Sequence, residues 1–250
     1  MENEIPFTTR GEEDKPALVL IHGLLSSNLQ WTYNLDFLEQ HFYVVLLELW
    51  GHGYCGLPEQ VHAFSLENYS RELEVIRHII GKPSWHICGS GYGAGIAMYY
   101  ARTHSKVVET LTISNSEECF NPDVDQLKHR LLHEIRGYEN LDSLSAHPNQ
   151  NEGIPDRIRP KVTEMANEVS KTAVIGALSY LDQVEQHREI QKLMAPLLII
   201  NGTLDKNFQQ AASFIKKRLP MAKMVNVEAG NLPSLEAPNI FSEAVLKHCS

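Results

Sequence analysis

Short apolar segments alternate with longer amphipathic segments along most of the chain, and this alternation limits the possible fold more than any other feature. Buried strands are predicted at 17–22, 43–49, 85–88, 107–114, 197–202 and 223–228. Helical spacing occurs at 66–80, 96–104, 211–219 and 239–248. Strands that alternate with helices pair in parallel, because each helix carries the chain back across the sheet. We therefore expect an α/β fold with a mostly parallel, twisted sheet flanked by helices.

One long segment, 115–194, interrupts the alternation. Helical spacing at 124–136 and 162–193 flanks a stretch, 140–159, that is rich in Ser, Pro, Asn and His. A continuation of the sheet domain is the alternative, but a segment of this length without a strand is unusual inside one sheet. The sequence predicts a core made of 1–114 and 195–250, with 115–194 inserted as a helical lid.

The charge balance argues against nucleic acid and anionic membranes as partners. The chain has 250 residues, a formal net charge of -9 and a pI of about 5.7. An acidic protein lacks the broad basic face that binds nucleic acid or anionic membranes. The apolar runs are shorter than the ~20 residues that cross a bilayer, and the acidic start has no signal-peptide pattern. The four cysteines form no Cys-x-x-Cys pair, so we expect a cytoplasmic protein with reduced thiols.

Five short motifs follow the predicted strands in a fixed order. They are His22-Gly23-Leu24-Leu25, Glu48-Leu49-Trp50-Gly51-His52-Gly53, Cys88-Gly89-Ser90-Gly91-Tyr92-Gly93-Ala94-Gly95, Gly202-Thr203-Leu204-Asp205, and Ala229-Gly230-Asn231 followed by Glu236-Ala237-Pro238 and Phe241. In this order they resemble the α/β-hydrolase family over nearly the whole chain outside the lid. The resemblance implies an α/β-hydrolase fold with the oxyanion loop, a second turn, the nucleophile elbow, the acid and the histidine loop at these places.

The elbow departs from the family pattern Gly-x-Ser-x-Gly. Gly89 and Gly93 match its two glycines, which puts Gly91 at the nucleophile position and Ser90 just before it. A register with Ser90 as the nucleophile would put Tyr92 at a glycine position, where it would crowd the strand–helix contact. Glycine adopts the positive φ of such a turn without steric cost, so we expect the turn to persist without a nucleophile.

The histidine position departs from the family pattern as well. Asn231 occupies it, and an amide cannot take up a proton near neutral pH, so it cannot act as a general base. Asp205 matches the acid position, where the family's carboxylate orients the histidine. Without that partner, Asp205 would hold Asn231 or bind a ligand, or it would only cap the turn before Phe208.

The resemblance also implies residues for ligand binding. The backbone N–H groups of Leu24 and Tyr92 match the family's oxyanion hole, which does not depend on side chains. Further substrate-binding residues are predicted to be His22, Gly23, Ser90, Trp31 and Phe208. For His22 a hydrogen-bonded structural role, and for Phe208 a core role, are the alternatives. The lid also carries histidines and arginines, which are more typical of solvated helix faces.

No metal and no cofactor is expected, because the histidines lack the motif with a carboxylate that a zinc site requires. Three functions remain open. The first is non-hydrolytic catalysis, of the cyclase, lyase or isomerase type, on a carbonyl-containing small molecule held at the oxyanion hole. The second is an inactive ligand-binding or regulatory protein. The third is residual esterase or thioesterase activity through water activated by Asp205. A small molecule is the expected partner, and a homodimer is possible.

Overall fold

The computed structural model describes residues 5–116, 124–144, 147–148, 154–184 and 190–250. One sheet runs through this part of the chain, with the strand order β1-β3-β2-β4-β5-β6-β7. Its strands are β1 (Phe7–Arg10), β2 (Ala17–Ile21), β3 (Tyr43–Leu47), β4 (Trp85–Ser90), β5 (Val108–Ser114), β6 (Leu197–Gly202) and β7 (Lys223–Val227). β1 is antiparallel to β3, and all other neighbours are parallel.

Helices follow most of the strands. They are α1 (Leu35–Leu38), α2 (Leu66–Ile79), α3 (Tyr92–Thr103), α4 (Val124–Gly137), α5 (Arg159–Asn167), α6 (Lys171–Ser179), α7 (Leu181–Val184), α8 (Lys206–Arg218), α9 (Pro233–Glu236) and α10 (Pro238–Cys249). The helices α4 to α7 lie between β5 and β6. The predicted α/β fold, with a mostly parallel sheet and a helical insertion, is therefore confirmed.

The structure adds two details to the sequence prediction. The edge strand β1 was not predicted, because its residues alternate between half-buried and exposed and form no apolar run. The helical spacing predicted at 162–193 corresponds to several short helices. Ser170 is extended, with φ −72° and ψ 129°, and separates α5 from α6. Of that segment, 185–189 lie outside the described residues.

The parallel strands are buried on both faces of the sheet. In β2, Val19 and Ile21 belong to the larger core, which includes side chains of α2, α3, α6 and α8. Leu18 and Leu20 point to the other face and belong to a second core with α10. This alternation follows from the two-residue period of a strand. The sheet is thus fixed from both sides, and its carboxyl ends are held in place under the inserted helices.

The insertion is packed closely on the core through α6. A Cβ atom added to Gly176 would lie 2.4 Å from the ring of Phe64, and one added to Gly51 would lie 2.3 Å from Cβ of Ala173. The N–H of Ser170 donates to the carbonyl of Gly51 at 2.8 Å. Because no space separates these atoms, α6 forms a fixed wall above the carboxyl ends of the strands.

Candidate functional site

A sharp turn joins β4 to α3 at the centre of the sheet. Gly91 forms this turn, with φ +53° and ψ −124°, between the last residue of β4 and the first residue of α3. Few non-glycine residues adopt a positive φ, and those that do are concentrated at functional sites. A Cβ atom on Gly91 would meet only Cα of Gly23, at 3.6 Å, which is ordinary van der Waals contact.

The two flanking glycines are fixed by steric contacts. A Cβ atom on Gly89 would lie 2.4 Å from the carbonyl oxygen of Gly93. A Cβ atom on Gly93 would lie 2.3 Å from the carbonyl oxygen of His22. Both distances are far inside van der Waals contact, so the turn needs glycine at 89 and 93 but has room for a side chain at 91.

A cavity of about 380 Å³ lies over this turn and under the inserted helices. Its wall near the turn is polar and includes Ser26, Gln30, Ser90, Asn115 and Asn231. The opposite wall is mostly apolar and is formed by Leu131, Ile135, Leu144, Ile154, Val162, Met165, Val174 and Leu178, with Arg130 and Glu134 on α4. No histidine lies among the described residues of either wall.

The first loop of the site is supported by buried polar contacts of His22. The Nε2 of His22 accepts the N–H of Leu49 at 3.1 Å and lies 3.0 Å from Oε1 of Glu48, and the Nδ1 of His22 is 2.8 Å from the carbonyl oxygen of Gly23. The same carboxylate oxygen of Glu48 accepts the N–H of Asn28 at 3.1 Å. These contacts lie behind the loop that carries Leu24, so they hold the loop in place without facing the cavity.

A second buried histidine, His52, lies beside His22. The rings of His52 and His22 are 5.3 Å apart, and the Nδ1 of His52 is 2.9 Å from the carbonyl oxygen of Trp50. Burial lowers the pKa of His52 to about 3, with the nearby His22 acting in the same direction. His52 is therefore a neutral, structural residue at neutral pH.

One residue that the sequence analysis did not single out connects two motifs. Asn115, with φ +37°, follows β5 directly. Its Nδ2 donates to Oδ2 of Asp205 at 3.1 Å and to the carbonyl of Gly230 at 2.8 Å. Its Oδ1 accepts the N–H of Gly202 at 2.9 Å. The only signal in the sequence is a polar residue at the end of a buried strand.

The loop around Asn231 has its own support. The carboxylate of Glu236 accepts the N–H of Gly230 at 2.7 Å and the N–H of Leu232 at 3.1 Å. Asn231 lies between these two anchored residues, and it is exposed while bordering the cavity. Glu236 belongs to the fifth sequence motif, but the motif alone does not predict that its side chain holds this loop.

Six of the predicted site residues border the cavity, and four do not. Those that border it are Gly23, Leu24, Ser90, Gly91, Tyr92 and Asn231. His22, Trp31 and Phe208 are fully buried and lie outside its wall, which corrects the expectation that they contact a ligand. His22 pairs with Glu48 instead, and Trp31 packs on Phe241 with ring centroids 5.9 Å apart.

Asp205 is also absent from the cavity wall. Its Oδ1 accepts the N–H of Phe208 at 3.4 Å, at the start of α8, and its Oδ2 accepts from Asn115. The first contact is the capping role that the sequence analysis gave as an alternative. The second holds the carboxylate next to the histidine-position loop, because Asn115 also binds Gly230.

The side chain of Tyr92 points away from the cavity centre, into the core. Its hydroxyl donates to the carbonyl of Phe64 at 3.1 Å, and its ring meets Tyr69 edge-on at 6.4 Å. What Tyr92 offers to the cavity is its backbone at the first position of α3. The start of a helix carries the positive end of the helix dipole, which favours negative charge.

Neither a metal centre nor a membrane span is found in the part of the chain that the structure describes. No three His, Cys, Asp or Glu side chains there are grouped to hold a metal ion. His129 and His133 lie four residues apart on α4, but both are exposed and no third ligand joins them within the described ranges. Among those residues no helix has the length and apolar character to span a bilayer.

Known proteins resemble this chain along nearly its full length. It is 22% identical to the pimeloyl-[acyl-carrier protein] methyl ester esterase of Vibrio vulnificus, covering 98% of both chains. It matches the crystal structure of a hydrolase from Pseudomonas aeruginosa PA01 with a TM-score of 0.87 at 19% identity, covering 98% of this chain and 93% of that one. The enol-lactonase from Burkholderia xenovorans LB400 matches with a TM-score of 0.85 at 18% identity, covering 98% and 95%.

The family model described as the alpha/beta hydrolase fold matches residues 16–238. That range includes all of the parallel strands and the whole insertion. The turn at Gly91, the cavity over it and the loops of Asp205 and Asn231 all lie within the match. This protein therefore belongs to the α/β-hydrolase fold family.

Proposed function

We propose that this protein binds a small carbonyl-containing molecule in the cavity over Gly91 and does not hydrolyse it by serine–histidine chemistry. The observation that carries the proposal is the positive-φ turn at Gly91, where the family's nucleophile belongs and where this chain has no side chain. The close contacts of Gly89 and Gly93 support this register, since only glycine fits at those two positions.

The described wall of the cavity also has no histidine that could serve as the base for a hydroxyl nucleophile. Asn231 occupies the histidine position and borders the cavity, and its amide cannot accept a proton. Ser90 borders the cavity as well, but it lies within β4, and no histidine accompanies it among the described wall residues. A serine hydroxyl without an adjacent base is a poor nucleophile.

The chemistry of the wall indicates the kind of ligand. A volume of 380 Å³ is near the lower end of the ~300–1,000 Å³ of ligand pockets, so the ligand is small. Its apolar part would pack against the aliphatic side chains of the inserted helices. Its carbonyl would face the backbone N–H groups of Leu24 and Tyr92, the proposed oxyanion hole, which remain whatever side chain stands at 91.

Slow hydrolysis of an ester or lactone is the second candidate. It is favoured by the likeness to an esterase and to an enol-lactonase. It would require a water molecule over Gly91 that Asp205 activates. Both carboxylate oxygens of Asp205 already accept hydrogen bonds, from Phe208 and Asn115, and Asp205 does not border the cavity. We therefore place hydrolysis second.

Non-hydrolytic catalysis on the same ligand is a third candidate. Cyclisation, elimination or isomerisation would need a group that moves a proton. Glu134 on α4 is the one carboxylic acid among the described wall residues. Detection of a product, as distinct from binding, separates this candidate from the first.

The absence of serine–histidine chemistry is tested with p-nitrophenyl butyrate. We expect the wild-type protein to release p-nitrophenol no faster than buffer, and the double variant Gly91→Ser/Asn231→His to release it measurably faster. Each single variant should stay inactive, since nucleophile and base act as a unit. Rapid turnover by the wild-type protein would refute the proposal, and loss of that turnover in Ser90→Ala would show that the register is wrong.

Binding is tested with methyl octanoate, which combines an ester with an apolar chain. Ligand-observed NMR should show saturation transfer to methyl octanoate with the wild-type protein, while its spectrum stays unchanged over hours. Leu131→Trp, which fills the cavity from the half-buried face of α4, should abolish the transfer. Transfer that persists in this variant would place the ester elsewhere, and conversion of the ester would favour one of the catalytic candidates.

A further inference from the structure

We propose that Gln30 is a ligand-binding side chain of this cavity, and that its Nε2 donates a hydrogen bond to an ester, lactone or ketone oxygen of the ligand. The inference deepens the proposed function and rests on it. Gln30 is 1% exposed and borders the cavity. A polar side chain buried at a cavity wall either finds partners within the protein or offers its remaining groups to a ligand.

The orientation of the Gln30 amide is fixed by its neighbours. The N–H of Gly23 donates to Oε1 at 3.3 Å, and the hydroxyl of Ser26 donates to the same oxygen at 2.9 Å. A backbone N–H can only donate, so the atom that faces Gly23 must be the amide oxygen. The amide nitrogen therefore lies on the other side, and its position does not depend on an arbitrary choice of rotamer.

One of the two N–H groups of the Gln30 amide is available to a ligand. An amide NH₂ group carries two hydrogens, and Nε2 of Gln30 has one acceptor in the described part of the chain, the hydroxyl of Ser234 at 3.5 Å. That contact is itself at the long limit of a hydrogen bond. Leaving a buried N–H without an acceptor is unfavourable, so a ligand oxygen in the cavity would gain a donor that is already in position.

Gln30 also contacts both the loop that carries Leu24 and the segment that follows Asn231. Its oxygen holds Gly23, next to Leu24 of the proposed oxyanion hole, and its nitrogen contacts Ser234, three residues after Asn231. A ligand oxygen bound to Nε2 would therefore lie between the oxyanion loop and the Asn231 loop. An ester, lactone or ketone oxygen can accept from Nε2 at this place, since a carbonyl oxygen is a hydrogen-bond acceptor.

The test replaces the donor and keeps the rest of the side chain. In Gln30→Glu at pH 8, one carboxylate oxygen can still accept from Gly23 and Ser26, while the other presents an acceptor where Nε2 presented a donor. We expect the affinity for methyl octanoate to fall at least tenfold. The control Gln40→Glu makes the same chemical change at an exposed position just after α1 that does not border the cavity and should leave the affinity within twofold of wild type.

A second variant distinguishes loss of the donor from a folding defect, which a buried carboxylate in Gln30→Glu could cause. Gln30→Met is uncharged and similar in length, and it should also weaken methyl octanoate at least tenfold while leaving 1-chlorononane, which has no oxygen acceptor, within threefold. A purely structural role for Gln30 would weaken both ligands equally and would overturn the inference. Thermal unfolding of each variant establishes that the protein measured is folded.

The remaining outcomes separate this inference from the proposed function. If the wild-type protein binds methyl octanoate and both Gln30 variants bind it equally well, the role of Gln30 is refuted and the proposed function stands. If the wild-type protein does not bind methyl octanoate at all, the proposed function fails, and the inference fails with it.

Discussion

The carboxylate of Asp205 is held by the amide of Asn115, whose Nδ2 donates to Oδ2 at 3.1 Å. The same amide binds the carbonyl of Gly230 and accepts the N–H of Gly202. Three loops that are far apart in the sequence therefore meet on one side chain at the end of β5. This arrangement holds the loop of Asp205 next to the loop of Gly230 and Asn231.

Replacement of Asn115 by alanine should destabilise the protein strongly. The variant leaves a buried N–H of Gly202 and a carbonyl of Gly230 without their partner, and it puts alanine at a positive φ that asparagine tolerates better. We expect the free energy of unfolding in urea to fall by about 3 kcal/mol or more. Asn239→Ala, at an exposed position of α10, is the control and should change it by less than about 0.5 kcal/mol. A loss below 1 kcal/mol for Asn115→Ala would contradict the bridging role.

The elbow glycines should differ in their tolerance of alanine. Gly93→Ala would drive a Cβ atom to 2.3 Å from the carbonyl oxygen of His22, and we expect a loss of about 3 kcal/mol or more in the free energy of unfolding. Gly91→Ala meets no close atom and should lose only about 1–2 kcal/mol from its positive φ. Chemical denaturation of the two variants side by side measures the difference. Equal losses would mean that the turn is not shaped as described.

Glu74 should make the fold sensitive to acid. Its carboxylate accepts from Nε of Arg77 at 2.9 Å and from Nη2 at 2.8 Å, and it also accepts from the hydroxyl of Tyr100. The hydrogen bonds from Arg77 lower the pKa of Glu74 from 4.5 to about 2. The folded state therefore binds this proton less well than the unfolded state, and the stabilisation is complete above pH 4.5 and lost as the pH falls toward 2.

The variant Glu74→Gln tests that dependence. Its free energy of unfolding should lie below that of the wild type at pH 6, and the gap should narrow between pH 4.5 and 2.5. Glu67→Gln, whose carboxylate is largely exposed on the same helix, should follow the wild-type curve. A gap that stays constant over this range would show that the carboxylate is not coupled to folding.

His52 should cause a second decrease in the free energy of unfolding on acidification, which begins at a higher pH than the decrease due to Glu74. Burial lowers the pKa of His52 from 6.5 to about 3. Between these two pH values, His52 binds a proton in the unfolded chain but not in the folded protein. Its contribution is complete above pH 6.5 and falls as the pH drops toward 3. The variant His52→Gln should therefore show a flatter dependence of the free energy of unfolding between pH 6.5 and 4.5. The exposed His62→Gln provides the comparison, and its slope should match that of the wild type.

The sequence was sufficient for the fold because the parallel strands are apolar runs that alternate with helices, a pattern with few structural solutions. The glycines of the elbow could be aligned with the family pattern because the positions of Gly89 and Gly93 are too crowded for any other residue type. The edge strand β1 was not predicted because it is only partly buried. Its residues alternate between half-buried and exposed, so it does not form the apolar run by which the other strands are recognised. The boundaries of the lid, a cytoplasmic location and a homodimer stay predictions.

The polar side chains that organise the site were not predictable in the same way. The roles of three such side chains, those of Asn115, Gln30 and Glu236, depend on hydrogen bonds that exist only in the folded structure. Nothing in the local sequence distinguishes these three residues from other polar residues. The opposite error occurred at Trp31 and Phe208. Both occupy family positions near the site, but their large apolar side chains are fully buried in the core, where removal from water stabilises the fold.

The close packing of α6 on the core limits how far the cavity can widen. Since a Cβ atom at Gly176 would meet the ring of Phe64 and one at Gly51 would meet Ala173, an outward movement of α6 would have to break contacts of the core. The wall along α6 therefore sets a fixed limit on the size of the ligand at that side of the cavity.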